Sequence, residues 1–388
     1  MRLAVIGVGQ AGGKVLDRLL EFDRRWGGGF ITSATAINTA RTDLHGLELV
    51  PVDRRVLIGQ TKTHGHGVGA DNELAAEIAK RDEGEILGAV DGISLGDTEA
   101  FLIVAGLGGG TGSGAGPVIA RLLRDIYQEP VYALGIFPSR DEGGLYSLNA
   151  ARSLKTYVQE TDATLMFDNE AWRAPGETIE AGYARMNEEL ARRFGVLFSV
   201  GEITPDGVGE SVVDASEIHR TLEGGGLATV GYAADAVKRP ARGLLARFRT
   251  TPEPEVPDDT IDRVAGLVRT ATRGRLTAPV TVNTADRALL VVSGPPDKLS
   301  RRGAEEGRRW LEREADTTEV RGGDQPIRGQ NQLAATVVLA GVTEVTRIRE
   351  LQAIGNETRL NEDGRSEKHD RDLQALMTDE FDALDTLI

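Results

Sequence analysis

Gly108-Gly109-Gly110-Thr111-Gly112-Ser113-Gly114 stands between a continuous apolar run, Ala100–Ala105, and a helical stretch, Gly116–Tyr127. The apolar run reads as a strand buried on both faces. So many glycines bring consecutive backbone N–H groups close to one anion, and Thr111 and Ser113 add hydroxyl donors. No Gly-Lys-Ser/Thr follows, so this is not a Walker A loop. A merely tight turn rarely needs so many glycines.

The same order recurs at the start of the chain. Strand Leu3–Gly7 runs into Gly7-Val8-Gly9-Gln10-Ala11-Gly12, and helix Lys14–Phe22 follows with Val15, Leu19 and Phe22 on one stripe. This spelling fits a dinucleotide fingerprint. A nicotinamide site also wants an acidic residue at the end of the second strand, Ile31–Ile37. Asn38 stands there and Asp43 comes later. Helices Glu73–Lys80 and Ala150–Glu160 and strands Val131–Phe137 and Ala163–Phe167 continue the alternation. The expected fold is therefore α/β, a parallel sheet with helices on both faces and ligands beyond the carboxyl ends of the strands.

A long helix, Thr178–Phe198, follows, with Ile179, Tyr183, Met186, Leu190 and Phe194 at helical spacing. Thr204-Pro205-Asp206-Gly207 reads as a turn, Ser216–Leu222 as a helix and Leu227–Tyr232 as a strand. Residues 249–259 read as an irregular loop, Ile261–Thr272 and Arg301–Arg313 as helices, Ala288–Ser293 and Gln332–Thr343 as strands. From about residue 351 the chain is polar and charged.

Composition narrows the function classes. The 388 residues carry 60 Asp+Glu against 45 Lys+Arg, net charge −15, which disfavours bare nucleic acid. Cysteine is absent, so neither a disulfide nor a thiolate site is available. No apolar run reaches the roughly 18–20 residues of a membrane span, and glycine interrupts the N-terminus too early for a secretion signal. A cytoplasmic protein is expected. His64 and His66 flank Gly65, but no third ligand is placed nearby, so no metal site is assigned.

Taken together, the motifs resemble those of the tubulin/FtsZ superfamily of GTP-dependent polymer proteins, in order and over most of the chain. The resemblance makes Gly9-Gln10-Ala11-Gly12-Gly13, with Lys14, the first phosphate loop, and Gly108–Ser113 the second. It puts Asn38 against the nucleotide. It makes Gly67-Val68-Gly69-Ala70-Asp71-Asn72, with Ile58–Lys62 before it, the γ-phosphate loop, so Gly69, Ala70 and Asp71 are site residues. Glu142 takes the place of a ribose-binding carboxylate, and Tyr146 stands where FtsZ has an arginine. In Asp168-Asn169-Glu170-Ala171, Asn169 is the guanine reader. Tyr183 would stack on the base and Asn187, one turn on, would bond it. Core packing is the other reading of Tyr183. Val212-Val213-Asp214-Ala215-Ser216-Glu217 and Gly224-Gly225-Gly226 resemble the loop that completes a neighbouring subunit's site, with Asp214 and Glu217 catalytic. Asp214 and Ser216 also suit a helix cap.

Arg140–Tyr146, Asn149–Arg152 and Phe167–Trp172 most resemble the archaeal CetZ group. The resemblance implies a GTPase binding GTP and GDP, with Mg2+ accompanying the nucleotide, that assembles head to tail and serves cell shape. It implies a GTP-binding domain over 1–172, a connecting core helix over 173–200, a smaller mixed α/β assembly domain over 201–350 and a flexible acidic tail over 351–388. The basic island 238–249 is a candidate lateral contact with other filaments, and 381–388 a candidate site for a tail-binding protein. A GTP-binding regulator that never polymerises and an NAD(P)-dependent oxidoreductase remain as alternatives.

Overall fold

The computed structural model describes residues 1–202, 213–237, 258–327 and 330–360. Among the described residues, ten strands form one sheet: β1 Leu3–Val8, β2 Ile31–Asn38, β3 Arg55–Leu57, β4 Ala100–Gly106, β5 Val131–Phe137, β6 Ala163–Asp168, β7 Leu227–Ala236, β8 Arg287–Gly294, β9 Val320–Pro326 and β10 Gln332–Ala340. Their order is β3-β2-β1-β4-β5-β6-β7-β10-β8-β9. From β3 through β7 every neighbouring pair is parallel. β10 runs antiparallel to both β7 and β8, and β9 runs parallel to β8. The mixed α/β part expected after residue 200 is thus no separate sheet. It joins the larger one edge to edge, through the rungs Thr164–Leu227 and Leu165–Ala228.

Period-2 alternation sorts the strand residues onto two buried faces. Ala4, Ile6, Val8, Phe101, Ile103 and Ala105 face helices Asn72–Arg81, Gly110–Ile126 and Gly144–Glu160. Leu3, Val5, Leu102 and Val104 face helices Gly9–Trp26 and Ile179–Phe198. The last two helices pack together. Phe22 of the first lies against Gly195 of the second, where a Cβ would collide with the ring. Full burial of one such phenylalanine stabilises the fold by roughly 2–3 kcal/mol. Thr178 caps the second helix, accepting from the Ala181 N–H at 3.3 Å.

Two helices begin earlier than their sequence suggests, at Gly110 rather than Gly116 and at Gly144 rather than Ala150. Helix Gly110–Ile126 uses its glycines as contact surface: a Cβ at Gly114 would strike the Asn72 carbonyl, and one at Gly116 the Tyr157 hydroxyl. These two glycines therefore serve packing rather than phosphate approach. Residues 346–360 are helical, so regular structure continues past 351, where a tail was expected to begin. The turn at 204–207, Val212, the loop at 249–257, the island 238–249 and the segment 361–388 lie outside the described residues.

Candidate functional site

A cleft of about 620 Å3 opens beyond the carboxyl ends of β1, β2, β4, β5 and β6. Gly9, Gln10, Ala11 and Lys14 line it from the first helix. Gly9 starts that helix with φ 74°, a left-handed conformation, and a Cβ there would come within 2.9 Å of the Gly112 nitrogen. Gly12 and Gly13 do not line the cleft. They let the helix approach the Val104 carbonyl and Leu47.

The glycine-rich loop contributes Gly108, Gly109, Gly110, Thr111 and Gly112. Because the helix starts at Gly110, its unpaired first-turn N–H groups face the cleft, and the helix dipole favours an anion there. The Thr111 hydroxyl lies 2.8 Å from that of Thr39, itself a cleft residue. Ser113 is turned away. Its hydroxyl donates to the carbonyls of Gly109 and Gly110, so it is spent inside the helix.

Gly69 lines the cleft, with Gly67 and Val68, whereas Ala70 and Asp71 do not. The Asp71 carboxylate caps helix Asn72–Arg81 by accepting from the Leu74 N–H at 2.9 Å. The Ala70 carbonyl accepts from Asn149 Nδ2 at 2.7 Å, and the same amide donates to the Gly108 carbonyl at 3.1 Å. Asn149, buried, thus ties the two loops together. It was legible only as part of a motif. Asn38 and Asp43 both line the cleft, with Asn38 Nδ2 donating to Asp43 Oδ2 at 3.1 Å. Asp43 reaches the cleft from helix Arg41–His45, which follows the end of β2. His66 lines the cleft and His64 does not. Among the described residues, no group of three or more His, Cys, Asp or Glu gathers as a metal site.

At the other end of the cleft stand Glu142, Tyr146, Asn169, Tyr183 and Asn187. Glu142 Oε1 accepts from the Ser139 N–H at 2.7 Å and from its hydroxyl at 3.1 Å. Tyr183 is half-buried on the helix face that carries Asn187, while Met186 and Leu190 take the core. Burial and the Glu142 carboxylate beside it push the Tyr183 phenol well above its usual range. Asp168 caps the short helix Asn169–Trp172 through the Glu170 N–H at 3.1 Å. Burial pushes the Asp168 carboxyl up to about 6, although Arg347 Nε lies 3.4 Å away.

Asp214 and Glu217 lie at the opposite end of the molecule. The Met1 nitrogen, at the amino end of β1, donates to the carbonyls of Phe198 at 2.8 Å and Val200 at 3.2 Å. Gly201, just beyond, packs on the Cα of Asp214. Between Tyr183 at the cleft and Phe198 at this end run about 22 Å of helix, at about 1.5 Å per residue. Asp214 caps helix Ala215–Leu222, accepting from the Ser216 hydroxyl at 2.6 Å and the N–H groups of Ser216 at 2.9 Å and Glu217 at 3.3 Å. The Ser216 hydroxyl bond, with these amides, holds its carboxyl below the usual range. The Glu217 carboxylate takes no part in the cap and is about one-third exposed, with Arg321 as partner.

Comparison with known proteins gives a consistent result. The model of the tubulin/FtsZ family GTPase domain matches residues 2–175, and that of the tubulin-like CetZ C-terminal domain matches residues 176–357. The chain is 53% identical over 389 residues to tubulin-like protein CetZ3 of Haloferax volcanii, covering 100% of both. It is similar to the structure of CetZ1 from Haloferax volcanii, a GDP-bound monomer, with TM-score 0.82 and 51% identity over 92% of this chain and 100% of that one. It is also similar to CetZ2 from the same organism, a GTPγS-bound protofilament, with TM-score 0.83 and 41% identity over 94% of this chain and 100% of that one.

Proposed function

The chain belongs to the CetZ group of the tubulin/FtsZ family, and from that premise we propose that it binds GTP and hydrolyses it when subunits assemble head to tail. The observation that carries this reading is the separation of the cleft from Asp214 and Glu217. One subunit cannot bring them together. Stacked subunits can, and such a heterologous contact repeats without closing, which makes a filament. The GTPγS-bound protofilament of the Haloferax volcanii CetZ2 supports self-assembly.

In this reading, the N–H groups at 9–11 and 108–112 and the Lys14 ammonium hold the phosphates. Asn169 and Asn187 present amides, each donor and acceptor, to the guanine edge. Tyr183 stacks on the base and Glu142 takes the ribose hydroxyls. Mg2+ enters with the triphosphate, whose oxygens would supply many of its ligands. Glu217 of the next subunit orients the attacking water, and Asp214 holds the helix that carries it. A cytoplasmic filament serving cell shape is the cellular role that this family membership supports.

The test is GTP turnover against protein concentration. The rate per subunit should rise steeply through an assembly threshold and vanish on dilution. A rate per subunit independent of concentration would refute the shared site.

A further inference from the structure

Arg347 lies in the first turn of the helix at 346–360, yet its side chain is only 4% exposed. Its Nη2 donates to the Pro138 carbonyl at 2.7 Å. Its Nε lies 3.4 Å from Asp168 Oδ1, also 4% exposed. Its Nη1 donates to Glu350 Oε2 at 3.1 Å, and Arg140 Nη2 donates to the same oxygen at 2.8 Å. The Arg140 N–H in turn donates to Glu170 Oε2 at 3.0 Å. One guanidinium outside the cleft therefore fastens both segments that build its base end. Pro138 precedes the turn that carries Glu142, and Asp168 caps the turn that carries Asn169.

Burying a guanidinium and a carboxylate together is costly, and apolar residues of like volume often stabilise as well. What an apolar pair would lack is direction. The Asp168 cap fixes the backbone at Asn169, and an amide reads a base only if its donor and acceptor are both aimed. Among the described residues, the hydrogen bonds and ion pairs of Arg347 reach Pro138, Asp168 and Glu350 and none of the phosphate-loop residues, so its influence is expected at the base end.

We propose that Arg347 is a positioning residue for base selection, holding Pro138 and Asp168 so that Asn169 meets the guanine edge in register. This rests on the guanine reading given above. The test measures affinities of the full-length chain for GTP, ITP and ATP, with thermal stability measured alongside. ITP lacks only the exocyclic amino group of guanine, so the GTP-to-ITP ratio reports the aim of the base contacts. Arg347→Met should lower that ratio by about tenfold, one well-made hydrogen bond, while ATP affinity, set by the phosphates, stays near wild type. Arg347→Lys, which keeps charge but not the fork, should recover part of the ratio.

An unchanged ratio in folded Arg347→Met would overturn the proposal. If that variant does not fold, Glu350→Gln decides. Its carboxylate is 34% exposed, and losing it should still lower the ratio by about threefold. An unchanged ratio there would equally overturn the proposal. Asn169→Ala separates the two levels. If it leaves the ratio unchanged, the guanine reading itself fails. If it lowers the ratio and the Arg347 and Glu350 variants do not, only the role of Arg347 fails.

Discussion

Glu217 Oε2 lies 3.4 Å from Arg321 Nη1, so the carboxylate proposed to orient water is held, within its own subunit, by a cation on β9. Both side chains are about one-third exposed, and such a pair contributes only about 0–1 kcal/mol to stability. Its larger effect is on direction, because a carboxylate leaning on a fixed guanidinium samples fewer rotamers. Arg321→Gln should leave GTP affinity of the free subunit unchanged. Turnover per assembled subunit should fall by about three- to tenfold, the loss of one aimed contact. Sedimentation combined with phosphate release measures both. Added to Glu217→Ala, the Arg321 change should have no further effect, because coupled groups are not additive.

Glu217→Ala removes the proposed water-orienting group and nothing in the cleft. Its GTP binding should match wild type, and its turnover should drop by about a hundredfold or more. Filaments should still form and should outlast wild-type ones after GTP is exhausted. Rapid disassembly at the wild-type rate would take Glu217 out of the hydrolytic step.

The sequence carried β1, β2, β4, β5 and β6 plainly, because they alternate with glycine loops and amphipathic helices, whereas β3, Arg55-Val56-Leu57, is too short to show a pattern. β9, Val320-Arg321-Gly322-Gly323-Asp324-Gln325-Pro326, carries neither alternation nor an apolar run that would mark a strand. Its backbone pairs in parallel along the edge of β8, a partner that local sequence does not reveal. The cleft residues were legible where a motif named them. Ser113, Ala70 and Asp71 show the limit of that: motif membership put them in the site, while local hydrogen bonding spends their polar groups elsewhere. Arg347 was illegible because its partners Pro138 and Asp168 are far from it in sequence.

Asn169 lines the cleft between Glu142 and Tyr183 in chain order. It is buried at the base end of the cleft, where an unmatched guanine edge finds little water. Asn169→Ala should weaken GTP binding by on the order of 1–3 kcal/mol while changing ATP binding far less. Competition between fluorescent GTP and each unlabelled nucleotide reads the difference. Equal losses for GTP and ATP would mean that the residue shapes the cleft without reading the base.

Asp168 gives a pH dependence with a definite sign. Its carboxyl sits at about 6 in the folded chain against an ordinary 3.8, because burial disfavours its charge more than Arg347 favours it, and Glu170 and Glu350 add to the rise. A raised value means the folded state holds the proton more tightly. The stability this contributes is present below about pH 4 and is lost as pH rises through about 6. At about 1.4 kcal/mol per unit, the loss is roughly 3 kcal/mol. Asp168→Asn cannot titrate. The stability of wild type relative to this variant should therefore fall between pH 4 and 7 and level off above. Denaturant unfolding of both proteins across that range measures it, and a flat difference would mean that Asp168 titrates as an ordinary carboxyl.

Gly116 and Tyr157 make the packing argument testable apart from any nucleotide. The Tyr157 hydroxyl donates to the Gly112 carbonyl at 2.7 Å, and it occupies the space a Cβ at position 116 would need. Both residues are fully buried, so neither helix can yield without disturbing the core. Gly116→Ala should therefore destabilise the fold by about 1–3 kcal/mol, although alanine is the better helix former by about 1 kcal/mol. Tyr157→Phe alone removes one buried hydrogen bond, worth about 1 kcal/mol. The phenylalanine ring, lacking the oxygen, leaves room for the methyl group. The double variant should then be more stable than the two single changes predict when added. Additive losses, measured by chemical denaturation of all four proteins, would show that the glycine is not required by the tyrosine hydroxyl.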